Sequence, residues 1–163
     1  MSRKILLVDD DSIFTDLVVN SSDLYSDTFV IDIAGNGIEA LTKMKNSDYS
    51  IVFTDLQMPR MDGFTLFEHI KKTFPDIPII IVTGTGKSKT ESIMIKKGAT
   101  GYLQKPVNLK TMIKMIMTLL KKETEGGRLH DASLEMFTQL IEMEQKTCTI
   151  RIDNKINDKR GIL

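Results

Sequence analysis

The sequence predicts an α/β fold, a doubly wound parallel sheet with helices on both faces. Three observations carry that reading. Five short apolar runs recur along the first two thirds of the chain, and a segment with helical spacing follows each of them. The runs are continuously apolar, as suits strands covered on both faces. The connections are short, and strict strand–helix alternation with short loops requires parallel pairing.

The first run, residues 4–8, is stopped by Asp9, Asp10 and Asp11. Asp11 or Ser12 then caps a helix with apolar positions Ile13, Phe14, Leu17 and Val18. Phe29 to Ile33 forms the second strand. Ala34-Gly35-Asn36-Gly37 is a turn, and Ile38, Leu41 and Met44 mark the second helix. The third run, Ile51-Val52-Phe53-Thr54, ends in Asp55. A Met-Pro turn and Asp62-Gly63 follow, and Phe64, Phe67, Ile70 and Phe74 set a helix that stops at Pro75. Ile77 to Val82 is the fourth strand, with Pro78 at its start, where a missing N–H is tolerated. After the loop Thr83-Gly84-Thr85-Gly86, a helix runs from about Ser88 to Lys97 and Gly98 ends it. Thr100 to Gln104 is the fifth strand. Asn108 caps a last helix reaching about Lys122.

In such sheets ligands bind beyond the carboxyl ends of the strands, where the strand order reverses. The residues at those ends are Asp9, Asp10 and Asp11, then Asp55, Thr83 and Lys105. If the first and third strands are neighbours, at least three carboxylates meet in one pocket. Unpaired, they repel and raise one another's pKa. A divalent cation removes the conflict, and an all-oxygen site with few protein ligands suits Mg²⁺. A hydroxyl, Thr83, and an ammonium, Lys105, stand opposite, both able to contact phosphoryl oxygens. This is the chemistry of a carboxylate that accepts phosphate.

Four pieces at these strand ends resemble the receiver domain of bacterial two-component response regulators. They are Leu7-Val8-Asp9-Asp10-Asp11, Thr54-Asp55-Leu56-Gln57-Met58-Pro59 with Met61-Asp62-Gly63, Val82-Thr83-Gly84, and Gly101-Tyr102-Leu103-Gln104-Lys105-Pro106. The resemblance covers roughly residues 2–122. It implies a flavodoxin-like sheet of order 2-1-3-4-5, with Asp55 as phosphoacceptor. Asp10 and Asp55 would bind Mg²⁺ directly with the backbone carbonyl of Gln57, and Asp9 mainly through water. Thr83 and Lys105 would hold the phosphoryl group, and Tyr102 would be the aromatic switch, turning inward as Thr83 moves. Lys105-Pro106 matches the family's cis peptide bond, and Asp11 reads as a helix cap. Gln57 and Thr85 stand where the family tunes dephosphorylation. A sensor histidine kinase or phosphotransfer protein would be the phosphodonor and a downstream protein the effector. The protein would be no enzyme on other substrates, catalysing only its own phosphorylation and dephosphorylation.

Other features carry less. Gly84-Thr85-Gly86-Lys87-Ser88 ends like a phosphate-binding loop, but the pattern's first glycine is replaced by Ile81 inside a strand. His69 and His130 have no partner at metal or catalytic spacing, and Cys148 reads as a small core residue. On the last helix Leu109, Met112, Ile113, Ile116, Leu119 and Leu120 form one stripe, with Met115 and Met117 outside it. That stripe is either core or a surface for dimerisation through helix 108–122.

The expected organisation is a receiver domain at 1–122, a polar linker at 123–127 and a small α+β extension at 128–163. The extension has a helix from Ser133, then an alternating strand from Thr147 to Ile152, a turn and the start of a second strand. Gly127-Arg128-Leu129, Ser133-Leu134, Leu140 and 146–152 resemble the start of a PATAN-type domain, a family taken to mediate protein contacts; it appears here as a truncated piece. Some forty residues of helix and hairpin close no core alone. The hairpin would pack on the receiver or pair with a second chain through its open edge. The alternative output, control of DNA by a helix-turn-helix, needs two helices at a tight turn, and the extension reads as one helix and a strand. DNA is therefore not the expected partner.

Composition agrees. With 22 basic and 22 acidic residues the net charge is zero, which gives no support for broad nucleic-acid or membrane-surface binding. One cysteine forms no internal disulfide and no apolar run approaches a membrane span, so a cytoplasmic location is expected.

Overall fold

A computed structural model describes residues 2–84, 88–124 and 148–149. Along the chain it contains β1 (Arg3–Val8), α1 (Ser12–Ser22), a 3₁₀ turn (Asp23–Tyr25), β2 (Phe29–Ala34), α2 (Gly37–Asn46) and β3 (Ile51–Thr54). There follow α3 (Gly63–Thr73), β4 (Ile79–Thr83), α4 (Ser88–Lys96), β5 (Gly101–Gln104), α5 (Leu109–Thr124) and β6 (Cys148–Thr149). The sheet order is β2-β1-β3-β4-β5-β6. The first five strands are parallel, as the alternation requires, and β6 is antiparallel to β5.

Side-chain alternation splits the core into two layers. Leu6, Val8, Val52, Ile79, Ile81 and Tyr102 face α2, α3 and α4, meeting Ala40, Met44, Leu66, Phe67, Ile70 and Met94. Ile5, Leu7, Ile51, Phe53, Ile80, Val82 and Leu103 face the opposite way, onto Val18 of α1 and the apolar side of α5. Both faces of the sheet are covered, which is why the strands carry no polar alternation.

The helix ends are set locally. Asp11 caps α1, accepting from the N–H groups of Ile13 (3.0 Å) and Phe14 (3.2 Å). Asn36 caps α2 in the same way, and Asp62 caps α3 through the N–H of Thr65 at 2.8 Å. Asn108 caps α5. After α4, Gly98 at φ 101° lets its N–H reach Ile95 O while the N–H of Ala99 reaches Met94 O, the paired bonds of a Schellman end.

Three sequence expectations change. Ile13 and Leu17 of α1 are 81% and 53% exposed, so only part of that helix's apolar set packs. Met115, which spacing places outside the α5 stripe, is buried along with Met112, Ile113, Ile116, Leu119 and Leu120. The stripe is thus core of its own chain, and a dimer through helix 108–122 finds no exposed large apolar residue there among the described ones. Finally, α5 continues to Thr124, past the helix end expected near Lys122. The loop position Thr85, the linker residues 125–127, His130, the helix from Ser133 and most of the hairpin lie outside the described residues. Of the expected strand 147–152, Cys148 and Thr149 are described, and they pair with the chain's own β5.

Candidate functional site

Between β1 and β3 the strand order reverses, because the chain passes from β1 out to β2 and returns across β1 to form β3. In the register of that pair Val8 lies beside Thr54. The next residue on each strand, Asp9 and Asp55, therefore emerges side by side. Backbone bonds hold both: Asp55 N–H donates to Val8 O and Asp9 N–H to Ala34 O, each at 2.9 Å.

Lys105 comes to them from the other half of the sheet. It follows β5 directly, and its N–H donates to Thr83 O at 3.0 Å, which ties the ends of β4 and β5 together. Its Nζ lies 2.7 Å from Asp9 Oδ2 and 3.0 Å from Asp55 Oδ2. The ammonium donates to Asp55, and its ion pair with the buried Asp9 oxygen is the shorter of the two contacts. The remaining oxygens bind backbone: Asp9 Oδ1 accepts from Asp11 N–H at 3.0 Å and Asp55 Oδ1 from Gln57 N–H at 3.1 Å.

Two carboxylates around one ammonium leave negative charge over. Burial pushes the Asp9 carboxyl above its ordinary range, despite the lysine beside it. Burial alone would lower Lys105, but the two carboxylates outweigh it and the ammonium is held more firmly protonated. Asp10, the middle residue of the triplet, is exposed, and Asp11 serves as the cap of α1. Among the described residues no group of three His, Cys, Asp or Glu side chains converges to hold a metal ion. What converges is the pair Asp9 and Asp55. That pair fits a hydrated Mg²⁺, which takes one or two carboxylates and keeps its other positions for water and phosphate oxygens; one ammonium offsets only one of the two carboxylate charges.

Thr83 closes β4, Tyr102 is the second residue of the neighbouring β5, and both are buried. Tyr102 already points inward, packed in the layer with Ile81, Met94 and Ile95. Burial first, then the charges of Glu91 and Asp55, raise its phenol pKa. The Lys105-Pro106 bond is cis, as the resemblance implied.

Two residues of the site escaped sequence reasoning. Phe14 lies under Lys105, with Nζ 4.7 Å from its ring centroid, a cation–π contact that walls the pocket from the α1 side. In the sequence it is one more apolar helix position. Gly63 packs so closely under the loop after β3 that a Cβ there would collide with Asp55 O. Its N–H donates to Leu56 O at 3.0 Å. The Asp-Gly pair reads as a turn in the sequence; its reason is this approach of backbone to backbone.

Comparison with known proteins agrees with the geometry. Residues 5–117 match the family model described as the response regulator receiver domain. The chain is 34% identical over 119 residues to a transcriptional regulatory protein CpxR homolog of Haemophilus influenzae, covering 73% of this chain and 51% of that protein. It is 30% identical over 161 residues to an NtrX-like response regulator of Rickettsia typhi, covering 96% of this chain and 33% of that one. The chain thus spans about half or less of the length of these relatives. Among solved structures, a CheY-like receiver domain from Methanospirillum hungatei is similar at TM-score 0.69 and 28% identity, over 78% of this chain and all of that one.

Proposed function

The chain belongs to the response regulator receiver domain family, and on that premise we propose that it accepts a phosphoryl group on Asp55 and thereby switches a protein-binding surface. The observation that carries the reading is the convergence of Asp55, Asp9 and Lys105 at the point where the sheet order reverses.

A carboxylate oxygen of Asp55 attacks the phosphorus of a phosphohistidine on a sensor kinase or phosphotransfer protein. The O–P bond forms as the P–N bond breaks, and the departing imidazole takes up a proton. In dephosphorylation a water oxygen bonds to phosphorus, the acyl O–P bond breaks and the carboxylate returns. Lys105 keeps its ammonium on the charge that develops on the phosphoryl oxygens. Thr83, at the end of β4, supplies a hydroxyl to the same group. Asp55, the Gln57 carbonyl and Asp10, from its exposed position beside Asp9, would hold Mg²⁺ directly, and the buried Asp9 would act through water. When bound, the metal would neutralise the acidic excess of the pocket. Catalysis is confined to the chain's own phosphorylation state, and the receiver is assigned to residues 1–122 of a cytoplasmic protein.

The test is Mg²⁺-dependent phosphorylation by a small phosphodonor, followed by intact mass. The parent chain is expected to gain the phosphoryl mass, and to lose that ability when the metal is chelated; Asp55→Asn is expected to gain none. Equal modification of parent and variant would sink the assignment.

A second reading has one observation behind it: the Haemophilus influenzae relative is named as a transcriptional regulator. Phosphorylation would then control DNA binding. A mobility-shift assay with phosphorylated protein separates the two, since only this reading expects retarded DNA.

A further inference from the structure

We propose that the outer edge of β5 is a strand-addition site, that its occupant is this chain's own β6, and that its occupancy is coupled to the state of Asp55. β5 has β4 on one side. On the other, the backbone of Cys148–Thr149 runs antiparallel, with Thr149 opposite Tyr102 and Cys148 opposite Leu103. The N–H of Lys105 points to the β4 side, donating to Thr83 O. N–H groups alternate in direction along a strand, so Tyr102, three residues earlier, turns its N–H to the β6 side. A strand edge presents a row of donors and acceptors that an extended segment satisfies through backbone bonds. The described part of this pairing contributes one or two net hydrogen bonds, about 1 kcal/mol each. Its population therefore responds to small changes in the strand it pairs with.

That strand ends in the site. Gln104 closes β5, and the following residue, Lys105, holds Asp9 and Asp55. A phosphoryl group on Asp55 adds charge and acceptor oxygens, which hold the lysine more tightly. Fixing Lys105 fixes the carboxyl end of β5, so less freedom is lost when β6 pairs there. By linkage, pairing of β6 favours the phosphorylated state in turn. The coupling rests on the phosphoacceptor reading of Asp55; the strand addition does not.

Hydrogen exchange at the Tyr102 amide, measured on the full chain, tests both parts, with intact mass reporting phosphorylation in the same samples. Thr149→Pro removes the N–H that faces Tyr102, whereas Thr149→Ala keeps it. Protection at Tyr102 is expected to fall about tenfold in Thr149→Pro, as the loss of one or two net hydrogen bonds implies. It is expected to hold in Thr149→Ala, with the Leu6 and Ile80 amides unchanged in both. In chain whose mass shows the phosphoryl group, protection at Tyr102 is expected to rise. Equal exchange in parent and Thr149→Pro overturns the strand addition. Protection that grows with protein concentration gives the edge to a second chain and overturns the intramolecular occupant. Unchanged or lowered Tyr102 protection in phosphorylated chain overturns the coupling. A parent that gains no phosphoryl mass refutes the Asp55 reading and the coupling with it, while the strand addition still stands or falls on Thr149→Pro.

Discussion

Helices α1 and α5 pack on the same face of the sheet, yet they spend their apolar residues differently. α5 buries Met112, Ile113, Met115, Ile116, Leu119 and Leu120. α1 buries Val18 and half-buries Phe14, while Ile13 and Leu17 face solvent. The difference lies in two rows, each with the i, i+4 spacing that stacks side chains on one helix face. The row Phe14–Val18 faces the sheet, and the row Ile13–Leu17 faces away. Apolar spacing identified both helices, but it could not say how many rows a helix buries. That number depends on how many neighbours the helix has.

The sharpest way to break this contrast is to truncate its buried side. Ile116→Ala on α5, at 0% exposure, is expected to cost about 2–5 kcal/mol, read by urea unfolding. A smaller effect tests whether the helices are anchored alike at their starts. Asp11→Ala and Asn108→Ala each remove a cap and are expected to lose about 1 kcal/mol. A much larger loss for Asp11 would mean that its carboxylate does more than cap α1. Ile13→Ala should have the smallest effect, within about 0.5 kcal/mol. Were it to match Ile116→Ala, the outer row of α1 would have to be covered by something, and the contrast would collapse.

The pocket shows a similar division within three consecutive residues. Asp9, Asp10 and Asp11 are chemically identical, and their spacing marks only a strand end. The structure gives them separate places: Asp9 is buried on Lys105, Asp10 is exposed, and Asp11 caps a helix. Of these, the cap was legible, because an N-cap lies immediately before the helix it serves. That Lys105 faces the carboxylates was legible from its place after the fifth strand; that it pairs with Asp9 was not, since the two are far apart along the chain. Side chains leave successive positions in different directions, so of the triplet Asp9 is buried while Asp10 and Asp11 are exposed.

What the sequence determined by itself is the order and type of the strands and helices from Arg3 to α5, the caps of the first and last helices, and the polar residues that close each strand. All of these follow from periodicity and local hydrogen bonding, which act over a few residues. Only the tertiary structure decided which strands are neighbours, and so that Asp9, Asp55 and Lys105 share one pocket with Phe14 beneath the lysine. It also decided that Gly63 must lack a side chain and that β6 closes the edge of β5. These are contacts between residues distant in the chain. Their geometry is set by sheet register and packing, which no local pattern encodes.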